Sequence, residues 1–358
     1  MDENGTTSDG DGSNSNNSNN NNNNKDRSNH VAAMSAGRAA VRVPGQPTKY
    51  RDGFDLISRQ PLHFVPYDHH NLDNNSRSSS RSTTMTAFVD ITYDVCYPDR
   101  CCRIAFNRPD VLHAFRPQTI REIQRALHYA VDDLRVGVIV FTSNNNPYNN
   151  NHSPAFCAGG DQTVRSNQGG YQDGTESFPK LRVLELQREM RCCPKPILCV
   201  VDGYAIGGGH ILQMVSDLTI ASDRSVFGQT GPRMGSFDAG YGSTRMARLI
   251  GQKRARELWF LCRYVDADEA YRIGLINATY PVAELDGRVA QWVRRMTTTS
   301  PTALAAIKAA LNADEDGDLQ QLGGMLTELF YKTKESQEGR DAFLQHRPPD
   351  FNTMRSKL

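Results

Sequence analysis

Two glycine-rich stretches decide how this chain is read: Phe156-Cys157-Ala158-Gly159-Gly160-Asp161, and Gly203-Tyr204-Ala205-Ile206-Gly207-Gly208-Gly209-His210. Each comes after a continuous apolar run and is placed to open a helix. Glycine is used where a backbone must bend tightly or approach a ligand closely. At a helix start the unbonded amides and the positive dipole end hold developing negative charge. Two such loops on neighbouring strands can aim two amides at one oxygen. That is an oxyanion hole, in which each donor is worth roughly 2.7–4 kcal/mol in a transition state. From glycine spacing alone, a pair of plain turns is an equal alternative. A dinucleotide fingerprint is excluded at this loop, because GxGxxG is missing.

Outward from the loops, helix and strand patterns alternate. Phe88 to Tyr93 alternates as a strand, and Cys102 to Phe106 makes a second, closed by Asn107-Arg108-Pro109. Pro117 to Leu127 has helical spacing, with Pro117 suited to a first turn. Val136 to Thr142 and Pro196 to Asp202 are unbroken apolar runs, the mark of strands buried on both faces. Phe178 to Arg191 and Ile211 to Ser216 read as helices, and Leu218 to Ala221 as a short strand. Past Gly251 the pattern is helical throughout: Lys253 to Cys262, Asp266 to Ile273, Leu285 to Thr297, Pro301 to Leu311 and Leu319 to Thr333. The order predicts an α/β fold with parallel pairing and a helical C-terminal region.

The ends differ from this core. Residues 1–86 are rich in Asn, Ser, Asp and Gly, with an unbroken Asn run from Asn19 to Asn24, and are expected to be disordered. Met85 could serve as a second start. The last three residues, Ser356, Lys357 and Leu358, form the tripeptide read by the peroxisomal import receptor. A peroxisomal location is therefore expected, with plastid or cytosol as alternatives. The 41 basic and 40 acidic residues leave a net charge of +1, and no block of like charge suggests nucleic acid or an anionic membrane. Apolar runs fall far short of the ~20 residues that span a bilayer. Eight cysteines include no CxxC pair, so the chain reads as having neither a zinc site nor a disulfide framework.

The two glycine segments resemble the signature segments of the crotonase (enoyl-CoA hydratase/isomerase) superfamily, and the resemblance runs from Phe88 to Phe351. It implies a ClpP/crotonase-like fold of repeated ββα units over 87–250, a helical region over 251–355, and the targeting tripeptide at 356–358. It also implies trimers, commonly paired into hexamers. The amides matching Gly160 and Gly208 would polarise an acyl-CoA thioester carbonyl and hold its enolate.

Hydratases of this superfamily handle water with two glutamates, whose places here are taken by Ile211 and Gly231. A simple hydratase is disfavoured, since no carboxylate pair remains for the proton transfers. Gly228-Gln229-Thr230-Gly231-Pro232 with Gly235-Ser236-Phe237-Asp238 instead resembles the naphthoate synthase group. So do Gln162, Arg165, Gly169-Gly170-Tyr171, Gly251-Gln252-Lys253 with Trp259-Phe260-Leu261-Cys262, Leu311-Asn312-Ala313-Asp314, Phe330-Tyr331 and Gln337-Glu338-Gly339-Arg340. That group closes o-succinylbenzoyl-CoA to 1,4-dihydroxy-2-naphthoyl-CoA by an intramolecular Claisen condensation, a lyase-class step towards phylloquinone or menaquinone.

The resemblance then distributes roles. Bicarbonate would stand in for the missing side-chain base, surrounded by Gln229, Thr230, Gly231 and Trp259, with no metal. Asp238 and Ser236 would act at the attacked carboxyl. Tyr171 would close over substrate, and Tyr331 would arrive from a neighbouring subunit. Ala158, Gly159, Asp161, Gln162, Arg165, Tyr204, Ala205, Ile206, Gly207, Thr230 and His346 would contact the substrate or its CoA. His210 carries no catalytic assignment and reads as structural. Two positions depart from the pattern: Leu112 and His346 stand where basic residues usually meet the CoA, with Arg116 and Arg347 as nearby substitutes. The rival readings are another crotonase activity and a non-catalytic protein of the same fold.

Overall fold

The structure is a computed structural model that describes residues 57–67, 87–145, 153–166, 169–175, 180–238, 240–313 and 329–350. The reading of 1–56 and 68–86 as disordered, most of the helix expected over Leu319 to Thr333, and Ser356-Lys357-Leu358 all lie outside these residues.

Strands β2 (Ile91–Cys96) and β3 (Cys101–Phe106) form an antiparallel hairpin. Helix α1 (Pro117–Asp132) then crosses to β4 (Val138–Ser143), which pairs parallel with β3. Further crossovers bring in β6 (Ile197–Val201), β8 (Leu218–Ser222) and β11 (Ala278–Tyr280), all parallel. With β1 (Val65–Pro66) on its edge, this seven-stranded sheet runs β1-β2-β3-β4-β6-β8-β11.

The parity of the apolar runs explains why both faces are covered. Ile139, Phe141, Ile197, Cys199 and Val201 enter one core, under α1 and α2 (Val183–Cys192). Their neighbours Val138, Val140, Leu198 and Val200 enter a second core. That second core is closed by Leu285, Val289 and Val293 of α7 (Val282–Thr297). Strands buried on both sides need no alternation, which is what the runs show.

A second sheet, β10-β9-β7-β5, is built from strands of only three residues: β5 (Ala155–Cys157), β7 (Tyr204–Ile206), β9 (Val226–Gly228) and β10 (Tyr264–Asp266). Here the structure corrects the sequence reading. The glycine segments do not leave the long apolar strands directly; they leave β5 and β7, which lie between those strands and the loops. Three residues are too few to carry a legible period. After β7, helix α3 (Gly208–Val215) begins on the second glycine of the triplet. Helices α4 (Tyr241–Ile250), α5 (Gln252–Phe260), α6 (Ala267–Arg272), α8 (Pro301–Asn312) and α9 (Lys334–Leu344) complete the described chain.

The expectation of disorder over 1–86 is corrected at residues 57–67. Val65 and Pro66 pair with Val95 and Asp94, and the Tyr67 amide donates to the Tyr93 carbonyl at 3.2 Å. Leu62 and Phe64 pack on the second core, and the Tyr67 ring meets Tyr93 and Tyr129. Pro66 has no N–H to offer, so it suits an edge strand. These three side chains are part-buried, and that apolar burial favours an ordered segment although its surroundings in sequence are polar. All eight cysteines are free thiols, and only Cys192 is exposed.

Candidate active site

The first glycine loop is pinned by a short parallel bridge. The Phe115 amide donates to the Gly159 carbonyl at 2.8 Å, and the Asp161 amide donates to the Phe115 carbonyl at 2.9 Å. Gly160 lies between these bonds with its own N–H unused. Gly208 is the first residue of α3, where an amide has no intrahelical acceptor. Neither amide finds a partner among the described residues.

The loops touch each other. Gly159 has φ of +89°, and a Cβ there would lie 3.0 Å from the Gly208 amide nitrogen. A Cβ on Gly208 would collide with the Phe115 ring, and one on Gly160 would lie 2.5 Å from the Tyr171 hydroxyl. The glycines are therefore required by contact, and two free amides are left side by side.

Both line a cavity of about 810 Å³, within the range of small-molecule sites. Its walls also include Ala158, Asp161, Gln162, Tyr171, Tyr204, Ile206, Gly207, Gln229, Thr230, Gly231, Ser236, Asp238, Trp259 and Tyr331. Of the expected site residues, three are not in the wall: Arg165, Ala205 and His346.

Arg165 is buried and spends its guanidinium on the chain itself. It donates to Gln162 Oε1 at 3.1 Å and to the carbonyls of Met234, Gly235 and Ser336 at 3.0, 2.5 and 2.9 Å. It ties the two site loops to α9 and is not part of the cavity wall. Ala205 is fully buried in β7, the side of the strand opposite the cavity. His346 stands exposed beyond the end of α9 with φ of +52°. Asp161 lines the cavity, but its carboxylate pairs with Arg108 at 3.0 Å and caps the turn at Thr163.

In this single chain Tyr331 stands at the cavity, where its hydroxyl lies 3.0 Å from Ser236 Oγ. Its ring meets Tyr171 edge-on at 5.8 Å, and Arg165 stacks over it at 4.6 Å. The bond from Arg165 to the Ser336 carbonyl holds this segment beside the pocket. Gln162 Nε2 donates to the Tyr171 hydroxyl at 2.9 Å and to the Gly160 carbonyl at 2.8 Å. Burial pushes both phenols above their ordinary range, so they remain neutral hydrogen-bonding groups.

Asp238 is the notable carboxylate. Of the others in the wall, Asp161 and Glu185 are ion-paired, with Arg108 and with Lys180, and Asp110 is exposed. Burial raises Asp238, while Gln187 Nε2 at 3.2 Å and the amides of Gly240 and Gly242 at 2.9 and 3.2 Å oppose the rise. Gln187 was not legible in sequence, because a glutamine in a helix reads as part of a polar face.

Gly231 has no room for a side chain: a Cβ would lie 2.7 Å from the Ser236 carbonyl oxygen and 3.2 Å from the Trp259 ring. Around it, Thr230 has no side-chain partner among the described residues. Gln229 Nε2 makes long bonds to His210 Nδ1 at 3.3 Å and to the Gly207 carbonyl at 3.4 Å. Trp259 Nε1 donates to the Gly242 carbonyl at 3.3 Å. The wall here therefore offers the Thr230 hydroxyl as an unengaged donor among the described residues, with Gln229 held by long bonds and the Trp259 indole beside Gly231. His210 is buried outside the wall and held to about 4 by burial, hence neutral, consistent with a structural role.

The CoA end shows a further difference from expectation. Leu112 lines the cavity, but Arg116 is bound to Asp90 at 2.8 and 2.9 Å, and Arg347 to Glu338 at 2.8 Å. Neither substitute is in the wall. Lys180, Arg182, Arg188 and Arg233 are, and cations scattered singly over helix and loop form no pattern legible in the sequence.

A protein-family model for enoyl-CoA hydratase/isomerase matches residues 98–354, and the chain belongs to that family. An enoyl-CoA hydratase from Mycobacterium avium subsp. paratuberculosis K-10 shares the fold with a TM-score of 0.62 at 24% identity, over 74% of this chain and 99% of that one. A methylmalonyl-CoA decarboxylase gives the same TM-score, identity and coverage. An enoyl-CoA hydratase from Bacillus anthracis is 25% identical, over 73% of this chain and 98% of that one, with a TM-score of 0.54.

Proposed function

We propose that the protein acts on an acyl-CoA thioester, and specifically that it is a 1,4-dihydroxy-2-naphthoyl-CoA synthase closing o-succinylbenzoyl-CoA with release of water. One observation carries the reading. The two free amides of Gly160 and Gly208 share a cavity with Ser236 and Asp238, while Ile211 and Gly231 hold no carboxylate.

The amides would bind the thioester carbonyl oxygen and hold it as an enolate once the α proton leaves. A base is needed for that proton, and Gly231 cannot bear one. Bicarbonate, held by Gln229, Thr230 and Gly231 against Trp259, supplies that base when bound. The enolate carbon then attacks the ring carboxyl carbon, forming the new carbon–carbon bond. Asp238, whose protonated form burial favours and which shares the cavity wall with Ser236, gives a proton to the departing hydroxyl, which leaves as water. Tyr171 and Tyr331 close the cavity and, being neutral, add no charge against the enolate.

The test is turnover of o-succinylbenzoyl-CoA by the purified full chain, followed by product absorbance, with and without added bicarbonate. Product only with bicarbonate supports both reaction and base. Product in carbonate-free buffer keeps the reaction and removes bicarbonate. No product in either condition, from folded protein, removes the reaction.

A further inference from the structure

One group beside the catalytic set is half used. Gln187, on α2, is fully buried, lines the cavity next to Asp238, and donates from Nε2 to Asp238 Oδ2 at 3.2 Å. Its Oε1 is buried and finds no hydrogen-bond partner among the described residues. Buried polar atoms of native proteins are met by protein, solvent or ligand, so an unmet acceptor at a cavity wall points to a donor arriving from outside. With Nε2 turned to Asp238 Oδ2, the planar amide directs Oε1 away from that carboxyl.

We propose that Gln187 is a two-ended positioning and specificity residue: Nε2 orients Asp238, and Oε1 accepts a hydrogen bond from an O–H donor on the substrate group that Asp238 serves. The inference rests on the function proposed above, in which that group is an aryl carboxylic acid. An acceptor at this point selects the neutral acid over the carboxylate, whose oxygens have no hydrogen to offer Oε1. The neutral acid is also the form whose carbon an enolate can attack.

Among the described residues, the groups acting on Asp238 are few. They are Gln187 from α2, the amides of Gly240 and Gly242 at the start of α4, and the Tyr331 hydroxyl from the C-terminal segment. None of these is charged at neutral pH, so loss of the Gln187 donor has no ionic partner to mask it. Gln187 Nε2 favours ionised Asp238. Without it the carboxyl holds its proton to higher pH.

The experiment uses Gln187→Met and Gln187→Leu, which keep an apolar side chain of similar bulk and remove both hydrogen-bonding ends. Three quantities are read on the full chain: kcat against pH, KM for o-succinylbenzoyl-CoA, and Ki for the analogue lacking the ring carboxyl. The expected result is a fall in kcat of about tenfold or more, with the basic limb of the profile moved to higher pH. The Ki to KM ratio should also narrow by about tenfold, the worth of one good hydrogen bond. A variant that folds and turns over with the limb and the ratio unmoved, whatever its melting temperature, overturns the inference and leaves the function standing. A wild-type enzyme that does not turn over o-succinylbenzoyl-CoA overturns the function and this inference with it. Two variants are used so that misfolding of one leaves the other to decide.

Discussion

Gly231 shows how a single residue can be set by its neighbours. The turn it opens is closed by the Ser236 amide donating to the Gly231 carbonyl at 2.8 Å, and that closure brings the Ser236 carbonyl back over the Gly231 Cα. A side chain there must push the turn apart, which in a packed region costs about 1–3 kcal/mol. Gly231→Asp, which restores a carboxylate in sequence, is therefore expected to lower the melting temperature and cut kcat by at least tenfold. It should not confer activity without bicarbonate. Full activity of this variant in carbonate-free buffer would show that the turn yields and that position 231 can hold the base. At this scale the sequence was most informative where backbone was needed: Gly159, Gly160 and Gly208 were legible because only glycine survives those contacts. It was least informative where a side chain acts through another. Arg165, close after the first motif, reads as a ligand contact yet staples carbonyls behind the cavity, while Gln187, far from either motif, reads as a polar helix face yet lines it.

Among the elements, length decided legibility. The long strands β4 and β6 and the helices α1 and α7 carry enough residues for a period to emerge, and they lie within a few residues of their expected bounds. The three-residue strands of the second sheet carry none, although they aim both glycine loops. The N-terminal segment illustrates the converse: its polar composition hides a short strap that the fold uses. Arg294 of α7 donates to the carbonyls of Ser58 and Gln60 at 2.9 and 2.7 Å while pairing with Asp99 at 2.6 Å. The strap also rests on Gly287, where a Cβ would lie 2.8 Å from the Arg59 carbonyl. It covers the edge of β2, which would otherwise offer an open row of backbone groups. A protein beginning at Met85 lacks all of this. It is expected to melt at lower temperature and to scatter light on heating, while Arg294→Ala should cost about 1–3 kcal/mol in denaturant titration. Equal melting of the Met85 form and the full chain would mean that the strap lies on the surface without holding it.

The whole molecule carries an acid sensitivity that follows from two buried histidines on different elements. His113 accepts the Arg108 amide through Nδ1 at 3.1 Å and meets Asn145 through Nε2 at 3.2 Å. His210 faces Gln229 through Nδ1 at 3.3 Å. Each needs a neutral ring with an accepting nitrogen, and burial pushes each from 6.5 down to about 4. A histidine whose pKa is lowered by folding binds its proton more readily in the unfolded chain. Its contribution is therefore complete above about pH 6.5 and is lost as pH falls towards 4. At 1.36 kcal/mol per pKa unit, each is worth about 3 kcal/mol over that window. Chemical denaturation between pH 4 and 7.5 should show stability falling below pH 6.5, with a shallower slope in His113→Asn and in His210→Gln. Slopes parallel to wild type would locate the acid response in other groups. Because His210 leans on Gln229, its protonation in the folded protein would disturb the wall proposed to hold bicarbonate. The folded ring stays neutral to about pH 4, so any activity loss through His210 is expected only at the acid end of this window, and His210→Gln should remove it while His113→Asn leaves it in place.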